Sequence, residues 1–241
     1  MNIIESAGLG KRYRRSWALR DCTLEIPGGH VVALVGPNGA GKTTLLSMAV
    51  GLTVPTTGTV SVLGGLPAGS PDALDRVAFV AQDAPLYKNL PVADMLHVAR
   101  NLNQRWDSRR ASTRLADLGI PVGKKVGQLS GGQKAQLALT IALARRPDLL
   151  VLDEPLASLD PLARFDFMES VMATVTADGI SVVLSSHVVA ELERVADYLI
   201  VLSVGRVALA GEVKDLVAAH GSGLEKIVLA SMRESGREVA A

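Results

Sequence analysis

The chain has a single cysteine, Cys22, in 241 residues. It can form no intrachain disulfide, and it holds no CxxC pair for metal binding or redox exchange. Such sparse cysteine usage predicts a reducing, cytosolic setting. Aromatic residues are also scarce, at 3%, while apolar residues reach 48%. The core must therefore be built from Leu, Val, Ile and Ala, a palette suited to parallel strands buried on both faces. Net charge is nearly absent, at +1. That argues against a dedicated nucleic-acid binder, which carries a broad positive field, so no nucleic-acid partner is expected; a local patch can still hide inside a neutral total. No segment approaches the roughly 20 apolar residues that cross a bilayer. Met1–Ser6 lacks the basic start and apolar stretch of a secretion signal. Repeats, low-complexity tracts and long linkers are missing too. A soluble protein is expected, with any membrane role exercised through a partner.

What is present is an alternation of short apolar runs with helical patterns. His30–Val35 is apolar and ends in Gly36-Pro37-Asn38-Gly39-Ala40-Gly41, after which Lys42 to about Val50 reads as a helix closed by Gly51. Strand, glycine loop and helix in that order open a βα nucleotide-binding unit. Further runs are Val77–Ala81, Leu149–Leu152, Ile180–Ser185 and Tyr198–Ser203, and Val189, Leu192, Val195 and Ala196 fall on one helical face between the last two. This pattern predicts an α/β fold with a mainly parallel sheet and helices on both sides. From about Lys88 to Arg146 the signals are helical. Pro91 can open a helix with Val92, Met95, Leu96 and Ala99 on its apolar face, and Ser108 can cap another ending near Leu118-Gly119. The first 28 residues read as short antiparallel strands, with Cys22–Ile26 before the turn Pro27-Gly28-Gly29.

Three stretches carry chemistry. Gly36–Thr43, GPNGAGKT, matches the phosphate loop G-x-x-x-x-G-K-[ST]. Its glycines let backbone N–H groups point inward at phosphate oxygens, and the following helix adds its positive end. Lys42 would reach the β and γ phosphates, and the Thr43 hydroxyl would ligate Mg2+. Leu149–Glu154 ends a buried strand in two carboxylates at the edge where ligands sit in open α/β sheets. Asp153 is placed to hold Mg2+ directly or through water, and Glu154 to act as general base on the attacking water. The plainer reading of the pair is a strand end running into an acidic helix cap. Ser130-Gly131-Gly132-Gln133 precedes a helix from about Lys134 to Arg145. It offers a cap and exposed N–H groups, a second anion-binding helix end on a chain with one lysine-bearing loop. The plainer reading there is a glycine-rich cap with no ligand.

With LSGGQ lying between GPNGAGKTT and LLVLDEP, the chain resembles the ABC ATPase family, along about Leu9 to Leu216. The resemblance implies a P-loop NTPase core with an N-terminal antiparallel β-subdomain and an inserted α-helical subdomain. It divides a single domain into a core of residues 1–87 and 147–212, a helical subdomain of 88–146 and a tail of 213–241 with helices at Val213–Ala219 and Leu224–Arg233. It adds Gln82 as the residue sensing Mg2+ and water, Asp160 in ASLD as a dimer contact, and His187 as a γ-phosphate contact. Tyr13 matches the aromatic residue that stacks on adenine. Gly36 through Thr44 would bind ATP in one chain while Ser130 through Gln133 of another chain cover it. Two departures, Lys134-Ala135-Gln136 after LSGGQ and ASLD itself, touch the dimer interface and spare the catalytic groups.

The resemblance thus implies ATP and Mg2+ as cofactors and a nucleotide-dependent dimer with itself or a paralogous cassette. It also implies a separate transmembrane permease docking near Gln82–Leu96, with the chain peripheral on the cytoplasmic face of the membrane. Export is the expected direction, from the short tail and the LYKNLPVADML stretch. The alternatives are an importer cassette and a soluble ABC ATPase of cofactor assembly, translation or repair.

Overall fold

The computed structural model describes residues 1–83 and 85–240, the last five by backbone alone. The chain divides into two compact units, Met1–Leu74 with Ser181–Ala241, and Asp75–Ile180.

The first unit opens with two twelve-residue strands, β1 (Asn2–Tyr13) and β2 (Ser16–Pro27). They are longer than the short strands expected. Register shifts between Ser6, Leu9 and Lys11 break the alternation of buried and exposed residues, which shortens the strand as read from sequence. β3 (Val31–Val35) is buried at all five positions, as its unbroken apolar run predicts. It feeds the glycine loop and helix α1 (Lys42–Ala49). β4 (Thr57–Val62) and β5 (Leu66–Pro67) complete a four-stranded sheet in the order β2-β1-β4-β5. The short helix α2 (Pro71–Arg76) leads out of this unit.

In the second unit β6 (Val77–Val80) is followed by α3 (Val92–Leu102) and α4 (Ser108–Asp117), then a 3-10 turn at Val126–Gln128 and α5 (Gly131–Ala144). Val92, Met95, Leu115, Ile120, Val126, Leu129 and Leu137 form the apolar cluster that holds these helices together. The cap of α4 is Asp107 and not Ser108. Asp107 N–H donates to Ala144 O at 2.7 Å, which pins this residue in extended backbone outside the helix. From there its Oδ1 accepts from Arg110 N at 2.9 Å. β7 (Leu149–Leu152) runs parallel to β6, and α6 (Pro161–Asp178) closes the unit.

The chain then returns to the first unit with β8 (Ser181–Ser186), β9 (Tyr198–Ser203) and β10 (Arg206–Glu212), ordered β10-β9-β3-β8. β3 is parallel to both β8 and β9. The helical face expected over Val189–Ala196 is only partly realised. Val189–Glu191 is a 3-10 turn, followed by single turns that bury Leu192 and Ala196. The chain must then straighten at Asp197, whose N–H and carboxylate both bond Val31. α7 (Val213–His220) and α8 (Leu224–Ala240) follow, with Leu224, Ile227 and Val228 buried.

Candidate nucleotide site

In the first unit the loop after β3 folds back on itself, with Ala40 N–H donating to Pro37 O at 3.1 Å. Gly36 has no room for a side chain, since a Cβ there would lie 2.4 Å from Leu202 O. Gly41 has φ +104, and a Cβ there would lie 2.6 Å from Ala18 O. Pro37, Asn38 and Gly39 are exposed at the tip, and Ala40 is buried beneath it. Lys42 is 4% exposed and turns inward, its Nζ donating to Gly36 O at 2.7 Å and Pro37 O at 3.4 Å. A buried ammonium needs such partners. No side chain caps α1, so its first N–H groups and the positive end of its dipole face the loop. Thr43 is exposed and Thr44 half-buried at that helix start.

Two other residues singled out in the sequence belong to this unit. In the parallel pair of β3 and β8, Val35 stands opposite Ser186. Both chains therefore leave the sheet at the same edge, one into the phosphate loop and the other into His187, which is exposed. The turn at His187 is fixed by Ser186, whose Oγ accepts from Val188 N at 2.9 Å and donates to Glu191 Oε2 at 3.2 Å. Tyr13 ends β1 opposite Ser16 and is 49% exposed. The strand that follows it presses Ala18 and Leu19 against Gly41 of the loop.

The second unit gathers another set. Val80 and Leu152 are opposite in the β6–β7 pair, and Asp153 N–H donates to Val80 O at 2.9 Å. Gln82, Asp153 and Glu154 thus cluster at one strand edge, with Asp153 only 2% exposed. Glu154 is held at φ +44, in the left-handed region that non-glycine residues rarely adopt. The serine–glycine segment forms a reciprocal cap on α5. Ser130 Oγ accepts from Gln133 N, and Gln133 Oε1 accepts from Ser130 N, both at 3.1 Å. Gly132 allows close approach, because a Cβ there would lie 3.0 Å from Ala163 of α6. Asp160 caps α6, its Oδ1 accepting from Ala163 N at 3.0 Å.

Sequence reading placed Ser130 at a helix start but missed the return bond from Gln133, although S-x-x-Q is the recognised spacing for it. It also missed the backbone strain at Glu154, for which no residue pattern gives a signal. Among the described residues no group of three or more His, Cys, Asp and Glu could hold a metal. Oxygen donors of the kind a hard cation takes are present in each unit taken by itself, Thr43 in the first and Gln82 and Asp153 in the second.

A strand, a glycine–lysine loop and a helix in an α/β sheet define a P-loop nucleotide-binding protein. Residues 19–157 match the family described as ABC transporter, and residues 125–193 match an AAA domain model. The chain is 37% identical to an aliphatic sulfonates import ATP-binding protein of Shigella flexneri, over 83% of this chain and 77% of that one. It is 34% identical to Nod factor export ATP-binding protein I of Cupriavidus pinatubonensis, over 89% and 68% respectively. Among solved structures it superposes on an ATP binding subunit of an ABC transporter with a TM-score of 0.83 at 28% identity, covering 95% of this chain and 99% of that one. A bacterial ABC transporter cassette solved as a dimer gives 0.77 at 25%, covering 87% and 98%. The chain belongs to the ABC transporter family, as an ATP-binding cassette. Among the described residues no helix is long and apolar enough to cross a membrane.

Proposed function

We propose that this chain is the ATP-hydrolysing subunit of a transporter whose membrane-spanning permease is a separate chain. The observation that carries the reading is the buried Lys42 ammonium, turned onto the carbonyls of its own glycine loop at an uncapped helix start. Triphosphate binding exchanges those carbonyls for β- and γ-phosphate oxygens, with the loop N–H groups and Tyr13 holding the remainder of the nucleotide. Thr43 of the first unit and Gln82 and Asp153 of the second are the residues assigned to Mg2+, which when bound offsets the phosphate charge. Glu154 takes a proton from the attacking water as its oxygen bonds the γ-phosphorus and the bond to the bridging oxygen breaks. Gln82 orients that water, and His187 donates to a γ-phosphate oxygen.

The reading includes a head-to-tail dimer in which Ser130–Gln133 of a second copy or a paralogue cover the nucleotide and Asp160 lies in the contact. The uncommitted N–H groups at the start of α5 support it, as does the related cassette solved as a dimer. Coverage in trans gives ATP different affinities for the open and closed states, without which it could not shift their balance. The division proposed is a core of 1–87 and 147–212, a helical subdomain of 88–146 and a tail of 213–241. The chain is placed peripherally at the cytoplasmic membrane face, its permease docking along Gln82–Leu96, where Tyr87 is 65% exposed. Export is the proposed direction, supported by the similarity to an export protein over 89% of the chain. The similarity to an import protein makes direction a separate test, read as substrate movement in vesicles holding chain and permease.

The test of the central reading is Lys42→Ala. Calorimetry with Mg-ATP should show affinity lost by about tenfold or more, as a charge-assisted phosphate contact of roughly 1.5–3 kcal/mol is removed. Unchanged affinity would contradict the assignment.

A further inference from the structure

The near-neutral total conceals a basic hairpin. Residues 11–21 contain Lys11, Arg12, Arg14, Arg15 and Arg20 against one acid, Asp21. The tip joins β1 to β2, and every residue from Arg12 to Trp17 is exposed. Two of its cations lie over rings, Lys11 Nζ at 5.4 Å from the Tyr13 centroid and the Arg12 guanidinium at 5.7 Å from that of Trp17. Trp17 in turn rests over Gly10, where a Cβ would come within 3.0 Å of its ring. The aromatic groups are therefore held in place at the surface.

An uncharged segment runs alongside. Residues 50–58 contain no charge, and Leu52 and Val54 are 66% and 76% exposed. This segment is fastened to the hairpin by Lys11 Nζ donating to Val54 O at 2.7 Å and Arg12 N to Thr56 Oγ1 at 3.1 Å. A third bond runs from Thr56 N to Gly10 O at 2.8 Å. Guanidinium groups, a part-exposed tryptophan and bare aliphatic side chains thus lie on neighbouring, bonded segments of the first unit.

We infer that this hairpin docks on the anionic phospholipid headgroups of a bilayer. Arg14 and Arg15 meet the phosphates, and Trp17 sits at the headgroup level where indole rings are favoured. Leu52 and Val54 reach the acyl boundary. Charge complementarity selects the anionic surface, because local basic clusters bind it at roughly fivefold in partitioning per cation. A nucleic acid satisfies the arginines but leaves Leu52 and Val54 exposed against a sugar–phosphate backbone. The contact is peripheral and runs through Arg14, Arg15 and Trp17, which have no role in the nucleotide reading, whereas Tyr13 of the same hairpin is assigned to the nucleotide.

The test uses the full chain with Trp106→Phe, which leaves Trp17 as the one tryptophan. Co-sedimentation is measured with phosphatidylcholine vesicles, with and without phosphatidylglycerol. Binding confined to the anionic vesicles, weakened by salt and accompanied by a blue shift of Trp17 emission, is expected. Arg14→Asn with Arg15→Gln, asparagine being chosen because Arg14 has φ +53, should weaken partitioning about thirtyfold. Arg15→Gln alone should weaken it about fivefold. Both variants should keep ATP hydrolysis in the absence of lipid, a readout that also reports folding. Equal binding to both vesicle types, no binding at low salt, indifference to both variants, or displacement by a single-stranded RNA oligonucleotide would each overturn the inference.

Discussion

Glu154 carries two separable loads, a proposed chemical role and a strained backbone, and its variants should separate them. Its φ of +44 belongs to the left-handed region, which disfavours a Cβ-bearing residue by about 1–2 kcal/mol. Glycine at this position removes that cost but restores unfolded-chain freedom worth about 0.4–1 kcal/mol. The turn bond from Ala157 N to Glu154 O, 3.2 Å, uses only backbone and survives any substitution. Glu154→Gly should therefore be more stable, by about 0.5–1 kcal/mol in the nucleotide-free chain, than Glu154→Ala, which loses the same side-chain contacts and keeps the strain. For a protein of this size that separates their melting temperatures by about 1–4 °C. Glu154→Gln also keeps the Cβ and the strain. Each variant loses the carboxylate, and phosphate release should fall by a factor of about 100 or more if Glu154 is the general base. Calorimetric melting without nucleotide and a steady-state phosphate assay make the comparison. A glycine variant that melts lower than the alanine variant would refute the strain argument, and normal turnover by the glutamine variant would remove Glu154 from its proposed role.

Other expectations concern packing and access. Leu115, fully buried in the helical cluster of the second unit, should cost about 2–5 kcal/mol when cut to alanine, read as a lower denaturant midpoint. Ser130→Ala removes half of the reciprocal cap, so it should lower stability by about 1 kcal/mol while leaving ATP affinity of the isolated chain unchanged, as measured by calorimetry. Cys22 is buried, and burial pushes its thiol pKa up to about 12. In the folded chain it should stay a thiol and resist alkylation across neutral and mildly alkaline pH. Labelling should quicken only with denaturant, and rapid modification at pH 8 in buffer would contradict that placement.

Much of this arrangement was legible in the chain because it rests on local patterns. Val31–Val35 and Leu149–Leu152 are unbroken apolar runs of five and four residues, too short for a typical helix and bounded by turn-forming or acidic residues, which favours a buried strand. The Gly36–Thr43 loop was legible for a similar reason, since its glycines serve backbone geometry that other residues cannot adopt. Less legible were features decided by distant partners. Asp107 and Ser108 are both good caps, and the bond to Ala144 selects between them. Val189–Ala196 has helical periodicity, yet the hold of Val31 on Asp197 stops a helix from completing. The length of β1 was hidden by its register shifts.

The proposed mechanism depends most on ATP joining two copies through the Lys42 loop of one and the Ser130 helix end of the other. Its most direct test is sedimentation of Glu154→Gln with Mg-ATP. The variant should run as a dimer with ATP and as a monomer without it, and adding Ser130→Arg should abolish the dimer while ATP still binds. A chain saturated with ATP by calorimetry that nonetheless sediments as a monomer, or a dimer indifferent to Ser130→Arg, would contradict it.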